Sequence, residues 1–284
     1  MVKIVTDSAC DLPLQVIKDL DISIVPARIL FGRHAYKDGI DITINEFYDR
    51  LPLTSIHPNT TQAAPLDYYR EFRRLELQQE EIIYIGVSES LSALIRSARE
   101  AAKEIHKTRV EIVDSEGVSV YQGLQAVIAG QMAKSGYSTD EILTRLDMHR
   151  KNIRLYSIAN TLDYLKRGGR ISAASYRVGS LLGILPIIKV GDFEVEAIDR
   201  QLFGNMGGAM DKIIKLLKAE FSSDTPLTCY ILHSQNMTGA VTFADKMTKN
   251  FNINELVTTK IGPTIGTNIG PGAIGVAIAP VVAY

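Results

Sequence analysis

The sequence predicts an α/β fold in two domains, the N-terminal one built on a largely parallel sheet and the C-terminal one on a mixed sheet. Three observations carry this. Strand-like and helix-like segments alternate through the first half of the chain, the rhythm of a parallel sheet covered by helices. Strand-like segments then predominate, with only two clear amphipathic helices among them. Within that second part, Gly191-Asp192 separates two apolar runs and reads as a hairpin turn.

Taken in order, Val2–Val5 is an apolar run that ends at Asp7-Ser8, and Pro13 stands where a helix can begin. The stretch 22–30 is rich in β-branched residues, and Phe31-Gly32-Arg33 turns into a short partner strand. Ile44, Phe47, Tyr48 and Leu51 recur at helical spacing until Pro52 ends the pattern. Residues 53–64 are polar and turn-like, and Pro65 opens a helix over 66–77. A strand over 81–87, a helix over 92–106, a strand over 109–113, and helices over 117–134 and 139–151 complete the first domain. Beyond it, 155–159, 185–190, 193–198, 227–232 and 274–282 read as strands, and 207–220 and 237–250 as helices. No Ser/Pro-rich linker marks the boundary, which is placed to give domains of residues 1–154 and 155–284.

Composition excludes several classes of function. Hydrophobic residues make up 46% and charged residues 22%, enough apolar material for a sizeable core. A formal net charge of −1, the absence of Trp and the lack of a basic stripe argue against nucleic acid as a partner. Cys10 and Cys229 form no CxxC pair, which fits a reducing compartment and no disulfide framework. Met1 leads into a strand-like run rather than a signal sequence, and no apolar stretch is long enough for an integral membrane segment. The expectation is a cytoplasmic globular protein.

Two motifs that look catalytic fail in context. Gly270-Pro271-Gly272-Ala273-Ile274-Gly275 fits the letters GxGxxG, yet the residues after it are few and β-like, whereas a dinucleotide site requires a helix there. Asp7 after an apolar strand invites comparison with a phosphate-attacking aspartate, but that chemistry needs a second carboxyl two positions on, and position 9 is Ala. The five histidines show no metal-ligand spacing. No catalytic residue, metal ligand or cofactor is called for.

Three polar loops stand out instead: Asn59-Thr60-Thr61-Gln62, Ser88-Glu89-Ser90-Leu91-Ser92, and residues 261–272, which include Asn268. Each is rich in hydroxyls, amides or glycines, and none contains Lys or Arg. Neutral donors and free backbone N–H groups suit a single carboxylate better than a highly charged phosphate. Taken singly, each loop reads better as a cap or a turn.

The ordered set Thr6-Asp7-Ser8-Ala9-Cys10-Asp11-Leu12-Pro13, Tyr36-Lys37-Asp38-Gly39, Ser88…Leu91-Ser92…Ser97-Ala98 and Val113-Asp114-Ser115 resembles the DegV family. Residues 161–172 (TLDYLKRGGRIS) and Ile261-Gly262-Pro263…Gly270-Pro271-Gly272-Ala273 extend the resemblance over essentially the whole chain. It implies a two-domain α/β protein that holds a long-chain fatty acid in a buried tunnel between its domains. It also implies a carrier rather than a catalyst, some members, the FakB proteins, presenting the carboxylate to a fatty acid kinase.

Carried over by position, the resemblance makes Thr60, Thr61, Ser92 and Asn268 the carboxylate ligands, with Asn268 where the family often has His. Asn donates a hydrogen bond but cannot carry a charge or move a proton. Arg170 and Arg200 fall on positions tied to kinase docking. Ala93-Leu94 stands where the family has Gly-Thr, and the stretch after Arg200 is poorer in Lys and Arg than is usual. The segment 178–188 is a candidate tunnel wall. An enzyme acting on a lipid-like or phosphorylated small molecule through Asp7 and the glycine loops is the alternative, and an adaptor docking through Arg170 is a third reading.

Overall fold

The computed structural model describes residues 1–54, 56–61, 63–171, 184–191, 194–202 and 205–282, apart from the side chains of 184 and 194–202. In the N-terminal half the chain runs β1 (Val2–Asp7), α1 (Leu14–Asp19), β2 (Ser23–Val25), β3 (Arg28–Phe31), β4 (His34–Lys37), α2 (Ile44–Arg50), β5 (Asn59–Thr61) and α3 (Pro65–Leu77). It continues through β6 (Glu81–Gly86), α4 (Leu94–Ala102), β7 (Val110–Asp114), α5 (Val120–Lys134) and α6 (Thr139–Arg150). β2-β1-β6-β7 form a four-stranded sheet in which every pairing is parallel. Its central strands are mostly apolar because helices cover both faces.

The C-terminal half contains β8 (Arg154–Ile158), α7 (Asp163–Arg167), β9 (Ile184–Gly191), β10 (Glu194–Leu202), α8 (Met206–Glu220), β11 (Leu227–His233), α9 (Met237–Asn250), β12 (Ile253–Lys260), α10 (Pro263–Ile269) and β13 (Ile274–Pro280). The six-stranded order is β10-β9-β8-β13-β11-β12. Only β11 and β12 pair in parallel, so the sheet is mixed. α8 and α9 pack on one face through Ile213, Leu217, Phe243 and Met247. A small antiparallel sheet, β4-β3-β5, sits on α2 through Ile29, Phe47 and Tyr48.

α5 ties the halves together. It is buried around its whole circumference, as expected of a helix with little amphipathic contrast. Leu124 and Ile128 share one core with Ile83 and Ile85 of the parallel sheet and with Leu155, Ile188 and Leu232 of the mixed sheet. Its buried amide nitrogens are paired: Gln122 Nε2 donates to Thr6 Oγ1 (2.8 Å) and Gln125 Nε2 to the Ser115 carbonyl (2.9 Å).

Several boundaries differ from those expected. The run 22–30 divides at Pro26, β2 joining the parallel sheet and β3 the small antiparallel one. The turn-like stretch 53–64 contains β5, which pairs with β3. The helix expected over 92–106 spans only 94–102. β12 and α10 were not anticipated; β12 is an edge strand with a largely exposed pattern, so it lacks the apolar run of a central strand. In the candidate wall 178–188, residues 178–183 lie outside the described residues, and the remainder falls in β9.

Candidate functional site

A cavity enclosing about 790 Å³ of empty space, its mouth included, lies between the parallel sheet and the inner face of the mixed sheet. Ala9, Val87 and Val118 reach it from just beyond the carboxyl ends of β1, β6 and β7, where open α/β sheets place their ligands. Leu155, Ser157, Ile188, Val190 and Leu232 form the opposite wall on β8, β9 and β11. α10 closes the side with Thr264, Ile265, Asn268 and Ile269.

Thr60, Ser92 and Asn268 line this one cavity although they come from β5, the loop before α4, and α10. Thr60 is fixed by β5 pairing with Ile29 of β3. Thr61 is not among the lining residues, because successive strand residues face opposite ways. Gln62 lies outside the described residues. The Ser92 N–H donates to the Ser88 carbonyl (3.0 Å), and Ser92 Oγ accepts from the Leu94 N–H (3.3 Å). Asn268 Nδ2 donates to the Thr264 carbonyl (3.3 Å), while its Oδ1 rests against Gly168, where a Cβ would collide with it.

Arg170 also lines the cavity. Its Nε donates to the Leu91 carbonyl (3.2 Å) and its Nη1 to the Gly168 carbonyl, so it bridges the loop before α4 and the end of α7. Among the described lining residues it is the one cation, and none is acidic. Arg200 lies on β10 opposite Pro186, its side chain outside the described residues.

Carboxylates lie behind the wall rather than on it. Asp7 accepts from the Ala9 N–H (3.0 Å), the Tyr84 hydroxyl (2.7 Å) and the Val87 N–H (3.3 Å), and burial raises its pKa. A fully enclosed carboxyl with three donors is structural, not a nucleophile facing the cavity. Asp11 accepts from the Gly262 N–H (2.8 Å) and the Ser119 hydroxyl (2.5 Å), and burial raises it well above the usual carboxylate range. Asp38 accepts from the Thr264 N–H (3.1 Å) and the Thr264 hydroxyl, and burial pushes it up to about 6. Two acids of the N-terminal half thus grip the first turn of α10, where the helix exposes unpaired N–H groups.

The glycine loop after α10 is held by Ser234, whose hydroxyl donates to the Gly270 carbonyl (2.7 Å) and accepts from the Ala273 N–H (2.8 Å). It runs into β13, not into a helix, so it does not cradle a dinucleotide. Among the described residues no three His, Cys, Asp or Glu side chains are grouped to hold a metal ion. No described helix is long and apolar enough to cross a membrane. Sequence reasoning overlooked Ser157 and Thr264, whose place on the wall depends on strand register and on the unanticipated helix α10.

A family model described as an uncharacterised protein of the DegV family matches residues 1–281. A DegV domain-containing protein of Clostridium perfringens is 31% identical over 282 residues, covering 96% of this chain and 95% of its own. Protein DegV of Bacillus subtilis is 26% identical over 276 residues, covering 97% and 98%. Its crystal structure, described as that of a fatty acid binding protein, superposes with a TM-score of 0.87 at 26% identity over 99% of each chain. A fatty-acid-binding DegV family protein of Thermus thermophilus superposes with a TM-score of 0.91 at 26% identity, again over 99% of each. The chain described here belongs to the DegV family.

Proposed function

We propose that this protein is a carrier that binds one long-chain fatty acid, the acyl chain running as in a tunnel through the cavity and the carboxylate held by Thr60, Ser92 and Asn268. The observation that carries this reading is the convergence of three loops, distant in sequence, on one apolar cavity with neutral donors, a single guanidinium and no acid among its described lining residues. Thr61 sits beside the head group in sequence and acts by holding the strand rather than by touching the ligand. The solved relatives described as fatty acid binding proteins support the ligand class.

Burial is worth about 0.8 kcal/mol per methylene, so roughly fourteen of them give about 11 kcal/mol before the costs of association. The head group therefore fixes orientation more than it supplies affinity. The carrier presents the carboxylate to a fatty acid kinase in the cytoplasm, with Arg170 and Arg200 in the docking face and Arg170 reaching the ligand's end of the cavity. The four-stranded and six-stranded sheets support domains of residues 1–154 and 155–284, with the ligand between them.

Native mass spectrometry of the purified protein, with and without added palmitic acid, tests the ligand class. One bound fatty acid per chain is expected; refusal of every fatty acid offered sinks the reading. Thr60→Ala with Ser92→Ala should then weaken binding by roughly 100-fold or more, the loss of two hydrogen bonds to a charged group, with the fold intact. Unchanged affinity removes the head-group assignment and leaves the ligand class standing.

A further inference from the structure

We propose that the cavity contains a second polar subsite, at Ser157, which recognises a hydroxyl carried partway along the acyl chain, so that the preferred ligand is a hydroxy fatty acid. This rests on the fatty acid reading above and goes beyond it in naming the chemistry of the chain.

Ser157 lies on β8, in the interior of the mixed sheet and outside the three polar loops. Strand register places it between Ile188 of β9 and Gly275 of β13, and Gly275 in turn pairs with Leu232 of β11. These four positions form one row across the sheet, and Ile188, Ser157 and Leu232 line the cavity. Two bulky aliphatic side chains therefore flank a hydroxyl and a residue with no side chain. The Ser157 hydroxyl leans over the Gly275 backbone, where a Cβ would stand only 2.6 Å from Oγ. The hydroxyl thus fills the space over Gly275 and is the one polar side-chain group in the row. Along β8 the next residue on the same face is Leu155, opposite Val190, so the surroundings of the hydroxyl are apolar.

Ser157 is 8% exposed, and its hydroxyl makes no hydrogen bond to the protein among the described residues. The other wall hydroxyls behind the loops are committed elsewhere: Ser119 donates to Asp11 and Thr264 to Asp38. A saturated chain laid over Ser157 leaves a buried hydroxyl unpaired, which disfavours that complex. A hydroxyl on the chain both donates and accepts, and it pairs with Ser157 at one chain position only, because the head group fixes the register. A site that hydrogen-bonds a ligand hydroxyl discriminates against the analogue lacking it more sharply than an apolar wall distinguishes chain lengths.

The test is displacement of a fluorescent fatty acid by palmitic acid, by a cis-monounsaturated acid of similar length, and by a set of monohydroxypalmitic acids differing in the position of the hydroxyl. The wild-type protein should bind one regioisomer roughly tenfold more tightly than the others. Ser157→Ala should erase that preference and leave palmitic acid within about twofold, its thermal melting confirming the fold. Equal binding of all regioisomers by the wild-type protein overturns the proposal, as does a preference that survives in Ser157→Ala. Preference for the unsaturated acid over every hydroxy acid also overturns it, since the wall then fits a bend rather than an oxygen. Failure of palmitic acid to bind at all identifies a failure of the fatty acid reading itself, whereas binding without regioisomer preference defeats the subsite alone.

Discussion

Asp38→Asn isolates one carboxyl that the fold keeps from water at the start of α10. Burial is the largest influence on Asp38 and raises its pKa from 3.8 to about 6; the two bonds from Thr264 pull the other way, and the charge of Asp7 adds to the rise. A carboxyl that holds its proton more tightly when folded stabilises the folded state at low pH. That contribution is complete below about pH 3.8 and is lost as the pH rises through about 6. At 1.36 kcal/mol for each pH unit between those values, its full size is about 3 kcal/mol. Asn has no proton to lose, and its Oδ1 can still accept from the Thr264 N–H. The unfolding free energy of wild type minus that of Asp38→Asn should therefore fall by up to about 3 kcal/mol between about pH 4 and pH 7. Urea denaturation of both across that range measures it. A difference that stays flat refutes the claim that burial displaces this carboxyl.

Gly270→Ala combines a backbone angle of φ +76° with a Cβ aimed into the Tyr164 ring, and it should lower stability by about 1–3 kcal/mol, seen as a lower Tm. Retention of the wild-type Tm would show that the turn after α10 is looser than its geometry indicates. Cys10 and Cys229 are buried and unpaired, and burial pushes Cys229 up to about 12 and Cys10 higher still. Neither thiol should react with an alkylating reagent at neutral pH in the folded protein, and both should react once it is denatured. Mass spectrometry of the alkylated protein distinguishes the two cases.

The parts of the fold legible in the sequence are those whose pattern is set locally. β1 and β6 read as apolar runs because both of their faces are covered, and α3 announces itself with Pro65 at its first position. β12 carries Asn, Glu, Thr and Lys at an edge, so its pairing with β11 leaves no hydrophobic signature. α10 includes Gly266 and two threonines, poor helix formers, and its helicity comes from outside partners. The polar loops around Thr60, Ser92 and Asn268 were visible as loops, but only the fold brings them to one cavity. Arg170 reads in the sequence as a surface cation; the Leu91 carbonyl, which no pattern links to it, draws it onto the cavity wall. Ser157 is one serine in an ordinary strand until register sets it beside Gly275.

α10 shows why the site belongs to both halves of the chain at once. A seven-residue helix is too short to persist alone, since nucleation consumes what so few hydrogen bonds return. Its first turn is gripped by Asp38 and, through Gly262, by Asp11. Its middle is seated where Gly266 leaves no room for a side chain against Phe47 and Tyr48. Its remaining face supplies Ile265, Asn268 and Ile269 to the cavity. Every one of those gripping residues precedes the mixed sheet in sequence, whereas α10 itself lies between two strands of that sheet. The position of Asn268 over the cavity is therefore set by the N-terminal half, and the apolar wall facing it by the C-terminal half. Neither half separated from the other encloses the cavity, because its lining residues come from both.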